Sequence, residues 1–393
     1  MEKFLSNRRN FLKLAGIGAA GLSLPLAFPA LAEKYQNNGG ILIYIGTYTQ
    51  GKSEGIYLAE LNPKSGALKQ VGVTKNIENP SYLTIDPSQK FLYSVSEVSE
   101  LNGKPTGGVS AFTLDKKTGT LKEINQQSSH GKSPCYISMD KDKKYVMVAN
   151  YGDGTIAIYP VQSDGKLGGA SDVVQHEGSS VDPNRQKGPH AHCIIPDPTN
   201  AYIFAVDLGL DKVLGYSLKA NPGKLTKASS YSTKSGAGPR HLTFHPNGRF
   251  AFLINEMNST MTALTYDSKN GELKEINTIS TLPAGFTDKN SCADVHVHPN
   301  GKFLYGSNRG HDSIAVFSID EKSGKISAIE HMSTQGKIPR NFMIEPSGKF
   351  LLAANQDTDN VVSFTIDNKT GKLKPTGHQL EVGTPVCLKV LKG

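Results

Sequence analysis

Asn79-Pro80-Ser81-Tyr82-Leu83-Thr84-Ile85-Asp86-Pro87, then Lys90-Phe91-Leu92-Tyr93-Ser94-Val95-Ser96-Glu97, Gly108-Val109-Ser110-Ala111-Phe112-Thr113-Leu114-Asp115 and Thr118-Gly119-Thr120-Leu121-Lys122 form the stretch that decides the fold. It holds four short runs rich in β-branched and aromatic residues. Asp-Pro, Gly-rich and Lys-Thr-Gly turns separate them, as in a four-stranded antiparallel meander.

The pattern returns along the chain. Its opening proline recurs as Pro80, Pro134, Pro189, Pro239, Pro339 and Pro385, and Cys292 takes its place in one unit. The successive separations are 54, 55, 50, 53, 47 and 46 residues. The first turn recurs as Asp86-Pro87, His245-Pro246, His298-Pro299 and Glu345-Pro346. The last-hairpin signal recurs as Lys64-Ser65-Gly66, Lys117-Thr118-Gly119, Lys269-Asn270-Gly271, Lys322-Ser323-Gly324 and Lys369-Thr370-Gly371. One such sheet cannot cover both its faces alone, so a period near 50 with four strands per unit predicts an all-β propeller. Third strands are expected at 55–61, 107–115, 154–161, 212–218, 260–267, 312–320 and 359–367, which makes seven blades. The frame is permuted. The chain enters on a second strand, Ile41–Gly46, and the missing first strand of that blade comes from Thr384–Val390, leaving no open edge.

The N-terminus reads differently. Arg8-Arg9-Asn10-Phe11-Leu12-Lys13, an apolar run from Leu14 to Phe28 and Ala30-Leu31-Ala32 have the order of a twin-arginine signal peptide over residues 1–32. The run is short for a membrane span and holds Gly16, Gly18, Gly21 and Pro25. The expected organisation is therefore signal peptide 1–32, linker 33–40 and propeller 41–393, giving a periplasmic or secreted monomer with no membrane segment in the mature form. Net charge is +8, of which residues 1–32 carry +3, leaving a mild +5 with no dense basic block to serve as a nucleic-acid footprint. Cys135, Cys193, Cys292 and Cys387 lie far apart with no metal-like spacing and read as small buried residues.

In a meander the first strand starts, and the second ends, on one rim. The residues after the opening position are Ser81, Cys135, His190, Arg240, Ala293, Arg340 and Val386; those ending the second strands are Tyr48, Glu97, Tyr151, Leu208, Glu256, Arg309 and Gln356. Asn150, Asn255, Asn308 and Asn355 repeat from unit to unit, which marks them as turn caps. His245 and His298 occupy the Asp-Pro turn slot and read as turn residues. The His, Arg and Glu do not repeat, as expected of a site grafted on a symmetric scaffold. Alternation puts His190 and His192 on one face, with His241 close by. Arg240, Arg309 and Arg340 suit carboxylate or phosphate; the alternative is that they pair with Glu97 and Glu256. A His–Glu pair beside them could do acid–base work, with arginine stabilising an oxyanion. No metal or other cofactor is expected, and no G-x-S-x-G elbow marks a serine nucleophile.

The blade motifs, with Ile45-Gly46-Thr47-Tyr48-Thr49, Gly188-Pro189-His190-Ala191-His192, Gly238-Pro239-Arg240-His241, Asn255-Glu256, Ser307-Asn308-Arg309-Gly310 and Pro339-Arg340-Asn341-Phe342, resemble the seven-bladed lactonase family over residues 41–392. That family includes propeller-type 6-phosphogluconolactonases and fungal carboxymuconate lactonizing enzymes. The resemblance implies hydrolysis of a sugar-acid lactone, an anionic substrate and no obligatory metal. It also implies site residues at His192, Arg240, Glu256 and Arg309; His190 from the same motif, and His241, Arg340 and Glu97 from the rim positions, are the substrate-binding candidates. An export signal departs from the cytoplasmic setting of the phosphorylated substrate. A non-catalytic periplasmic binding or scaffold propeller and a muconate-type cycloisomerase are the alternative readings.

Overall fold

In the computed structural model, residues 39–219 and 221–391 are described. They form seven four-stranded antiparallel sheets. Blade 1 joins Pro385–Leu391 to Ile41–Thr47, Gly55–Leu61 and Leu68–Lys75. Blade 2 runs Leu83–Ile85, Phe91–Ser96, Gly108–Leu114 and Leu121–Ser128, and blade 3 runs Pro134–Met139, Tyr145–Asn150, Thr155–Pro160 and Asp172–Gln175. Blades 4 and 5 begin at Ala191–Pro196 and Pro239–Phe244, and blades 6 and 7 at Ser291–Val297 and Pro339–Ile344. All seven expected third strands lie where the turn signals put them, within a residue or so at each end. The C-terminal strand completes blade 1 in antiparallel register, Ile45 opposite Leu388 and Leu42 opposite Leu391. Each first strand contacts the first strands of both neighbouring blades, which closes the ring.

The outermost strands are largely exposed or half-buried, whereas the inner strands are buried on both faces. The apolar clusters therefore lie between blades: Phe252 and Ile254 of blade 5 pack with Leu304, Ala315 and Phe317 of blade 6. The Lys-x-Gly hairpins serve the same joints. Gly119 and Gly371 have positive φ, 69° and 74°, and their carbonyls accept from Tyr44 Oη and Tyr305 Oη of the preceding blades, each at 2.8 Å. A side chain there would be strained in φ and would meet Leu58 or Phe303.

His245 and His298 are turn residues: each ring accepts from the amide two residues on and its Nε2 reaches a turn carbonyl of the next blade, Gly301 or Gly348. Three of the repeating asparagines tie the second-strand end to the connection from the preceding blade, as when Asn308 Nδ2 donates to Thr281 O. All four cysteines are buried and free. No helix among the described residues is long and apolar enough to cross a membrane. The expected signal peptide lies outside the described residues.

Candidate active site

Ladder pairing in the first strands is interrupted near one rim. Pairing skips one residue between Pro134 and Tyr136, between Ala191 and Cys193, between Pro239 and His241, and between Pro339 and Asn341. A β-bulge of this kind bends the strand and re-aims the extra side chain. The skipped residues are Cys135, His192, Arg240 and Arg340, so the bulges gather unlike side chains around one mouth. In blade 6 the skip takes in both Ala293 and Asp294.

This register changes one assignment. By proline counting His190 is the blade 4 equivalent of Arg240, but Ala191 pairs with Asp207 as Pro239 pairs with Asn255. The equivalent of Arg240 is therefore His192, and Asp207 takes the asparagine slot. His190 lies just before the strand. It stacks on Tyr151 with centroids 4.6 Å apart, and its Nδ1 is 2.7 Å from Tyr151 O. His192 meets the edge of the same Tyr151 at 5.3 Å, and its Nδ1 lies 3.6 Å from Cys135 Sγ. Burial, with Arg240, His241 and Arg340 nearby, pushes the His192 ring well below the usual histidine range, so it is neutral.

Glu256 is the electrostatic centre. Arg185 Nη2 and Arg309 Nη2 lie 2.8 and 2.9 Å from its oxygens. Arg240 Nε is 3.1 Å away, in charge contact but out of line for a hydrogen bond. Burial alone would raise the Glu256 carboxyl; Arg309, Arg240 and Arg185 outweigh it and bring it down to about 2. Arg309 is itself lowered to about 10, because burial and the neighbouring Arg240 and Arg340 outweigh the attraction of Glu256. Arg240 is 2% exposed. Its Nη1 donates to Ala293 O at 2.5 Å and faces His241 Nε2 at 3.2 Å.

Glu97 sits across the mouth and differs in kind. It accepts from Tyr48 Oη at 2.9 Å and from Ser81 Oγ, and no cation makes an ion pair with it among the described residues. Burial raises its carboxyl, with Arg340, Ser81 and Tyr48 opposing. Arg340 lies over the Tyr48 ring at 5.5 Å. Seven of the eight residues expected at the site thus share one mouth, where four guanidinium groups face two carboxylates, and His241 lies one layer beneath it.

Two residues of the cluster escape sequence reading. Arg185 reaches in from the connection between blades 3 and 4, its Nη2 also donating to Tyr151 Oη at 2.8 Å. The only trace of it in the sequence is that the Pro134-to-Pro189 interval, 55 residues, is the longest. Asp294 lies one layer deeper, in the unit where Cys292 replaces the opening proline. No group of three or more His, Cys, Asp or Glu is arranged to hold a metal among the described residues.

A family model for the seven-bladed β-propeller lactonase matches residues 42–390. A 6-phosphogluconolactonase of Bacillus subtilis is 40% identical over 302 residues, 77% of this chain and 84% of the relative. The solved structure of a putative 6-phosphogluconolactonase from Bacteroides fragilis superposes with a TM-score of 0.84 at 37% identity, covering 91% of this chain and 99% of that one. The periplasmic gluconolactonase of Pseudomonas aeruginosa superposes with a TM-score of 0.85 at 34% identity, covering 90% and 99%. With its ring, its charged mouth and these likenesses, the chain belongs to the seven-bladed β-propeller lactonase family as a 6-phosphogluconolactonase-like member.

Proposed function

We propose that the protein is an exported lactonase that opens a sugar-acid lactone in the mouth bounded by His192, Arg240, Glu256, Arg309, Arg340 and Glu97. The observation that carries this reading is a neutral, buried His192 beside an arginine cluster locked onto Glu256. Water adds to the lactone carbonyl and gives its proton to His192. Arginine N–H groups face the oxyanion as it forms. The ring C–O bond then breaks, and the ring oxygen takes the proton back from His192. A positioned acid–base group of this kind contributes on the order of 10²–10⁴-fold. Glu256 holds the guanidinium groups in place, because its oxygens are already engaged by Arg185, Arg240 and Arg309. His190 fixes Tyr151, and Glu97 with Tyr48 and Ser81 offers acceptors to the hydroxyls of a sugar acid.

The twin-arginine-type leader supports export to the periplasm, where an unphosphorylated aldonolactone is the fitting substrate; the P. aeruginosa neighbour is a periplasmic gluconolactonase. We take the mature protein to be a monomer that needs no cofactor. The test is hydrolysis of glucono-1,5-lactone and its 6-phosphate by the purified chain lacking residues 1–32, corrected for spontaneous opening. Turnover that is lost in His192→Ala supports the reading. Saturable binding with no turnover of either lactone overturns it in favour of a binding propeller.

A further inference from the structure

Beneath the mouth, the channel is plugged by side chains one residue further along the first strands. Tyr82 and Tyr136 stack with centroids 4.2 Å apart, and His241 meets the edge of Tyr136 at 5.0 Å. Asp294, 2% exposed, accepts hydrogen bonds on both carboxylate oxygens. His241 Nδ1 and the Val295 amide donate to Oδ1 at 2.8 and 3.0 Å. His296 Nε2 donates to Oδ2 at 2.9 Å, together with Asn341 Nδ2. Asn341 is fixed in turn, since its Oδ1 accepts from the Leu388 amide at 2.8 Å.

These contacts leave His241 one arrangement. A ring nitrogen facing a carboxylate must carry the proton, so Nδ1 is N–H. In a neutral ring Nε2 is then a lone pair, and it faces Arg240 Nη1 at 3.2 Å. Burial and the Arg240 charge bring the His241 ring down to about 3, which keeps it neutral. We propose that Asp294 is the positioning residue of the site: it fixes the His241 tautomer whose Nε2 accepts from Arg240 and so aims that guanidinium into the mouth. The chain of contacts is Asp294 to His241 to Arg240, with Ala293 O as the second acceptor for the same Nη1. Asp294 touches no part of the mouth itself, so its influence passes through His241. Asparagine cannot replace it, because an amide accepts on one side only. If its NH₂ faces His241, the ring must switch to the Nε2–H tautomer and set N–H against N–H at Arg240. If it faces Oδ2's partners instead, His296 and Asn341 lose their acceptor.

The kinetic part of the test rests on the lactonase reading; the tautomer and binding parts do not. The ¹⁵N shifts of His241 in the wild-type mature chain report the tautomer directly. Protonated Nδ1 with unprotonated Nε2 is expected, and Nε2–H or an imidazolium overturns the proposal. Calorimetric binding of D-gluconate and of inorganic phosphate, with kcat and KM for gluconolactone, is then compared among variants. Asp294→Asn is expected to weaken anion binding at least tenfold and to lower kcat/KM by roughly 10²-fold or more, where neutralising a carboxylate that fixes the tautomer of the base itself costs about 10⁴-fold. His241→Gln keeps a donor for Asp294 and an acceptor for Arg240, and it is expected to stay within about tenfold of wild type; His241→Leu keeps neither and should resemble Asp294→Asn. A folded Asp294→Asn protein within threefold of wild type in binding and kcat/KM overturns the proposal. So does equal loss in His241→Gln and His241→Leu, which decides the matter even if Asp294→Asn does not fold.

Discussion

Arg185 Nη2 lies 2.8 Å from Glu256 Oε1, so a side chain from the blade 3–4 connection closes a carboxylate at the mouth of blade 5. Arg185 is 43% exposed, whereas Glu256 is 6% exposed, so the contact joins a solvated cation to a buried anion. Of the three arginines on Glu256 it is the one that solvent reaches most freely and that an incoming ligand would meet first.

Arg185→Ala therefore separates binding from stability. Arg185 is the exposed member and Glu256 keeps Arg240 and Arg309 without it, so the loss should be about 1 kcal/mol and the melting temperature should move by no more than a few degrees. A hydrogen bond lost between this guanidinium and the lactone is worth roughly 1.5–3 kcal/mol, so KM should rise about tenfold or more while kcat changes less. An unchanged KM would remove Arg185 from the site.

Glu256 behaves oppositely. Glu256→Gln leaves Arg240 and Arg309 buried without their counter-charge, and breaking a buried pair from one side costs about 3–5 kcal/mol. Its folded-state carboxyl, at about 2, lies below the ordinary value of 4.5. A depressed carboxyl adds stability that is present above the unfolded value and lost as pH falls through the folded one. Wild type should thus lose stability between about pH 4.5 and pH 2 more steeply than Glu256→Gln in chemical-denaturation series at each pH. Parallel curves for the two proteins would show that Glu256 is not held ionised.

In the proposed mechanism His192 sets the pH profile of turnover. Its ring is held well below 6.5 by burial first and by Arg240, His241 and Arg340 next. The base is then already unprotonated at neutral and mildly acidic pH, so kcat/KM for lactone opening should show no inflection near 6.5. His192→Ala should lower kcat by roughly 10²–10⁴-fold. A titration centred near 6.5 in the wild-type profile would place the working proton on another group.

The ring was legible because its turns use residues that few other local structures need: Asp-Pro after the first strand, and a positive-φ glycine in each outer hairpin. The rim was legible as a set for the same reason, since the repeat says where each first strand starts. The bulges were not legible. A one-residue skip leaves no mark in composition, so His190 was placed where the pairing puts His192. Arg185 lies on an irregular connection with no counterpart in other blades, and Asp294 lies in the blade that departs most from the repeat. Function has gathered where the symmetry is broken, and there the repeat carries no information.

The strand exchange makes the last residues a condition for folding. Leu388 packs with Ile43, Ile45 and Met343, while Cys387 and Leu391 join the cluster of Leu42 and Tyr44. Deleting residues 384–393 exposes these faces and leaves Ile41–Thr47 with an unpaired edge. At about 1.5–3 kcal/mol per large buried side chain, three such losses approach the 5–15 kcal/mol that stabilises a typical domain. Because the ring is closed by contacts between neighbouring first strands, blades 7 and 2 also lose a partner. The truncated chain should aggregate or melt without a cooperative transition. Leu388→Ala, which opens a cavity but keeps the strand, should fold and lose about 2–5 kcal/mol. A cooperative, monomeric 384–393 deletion would mean that the other six blades stand without the closing strand.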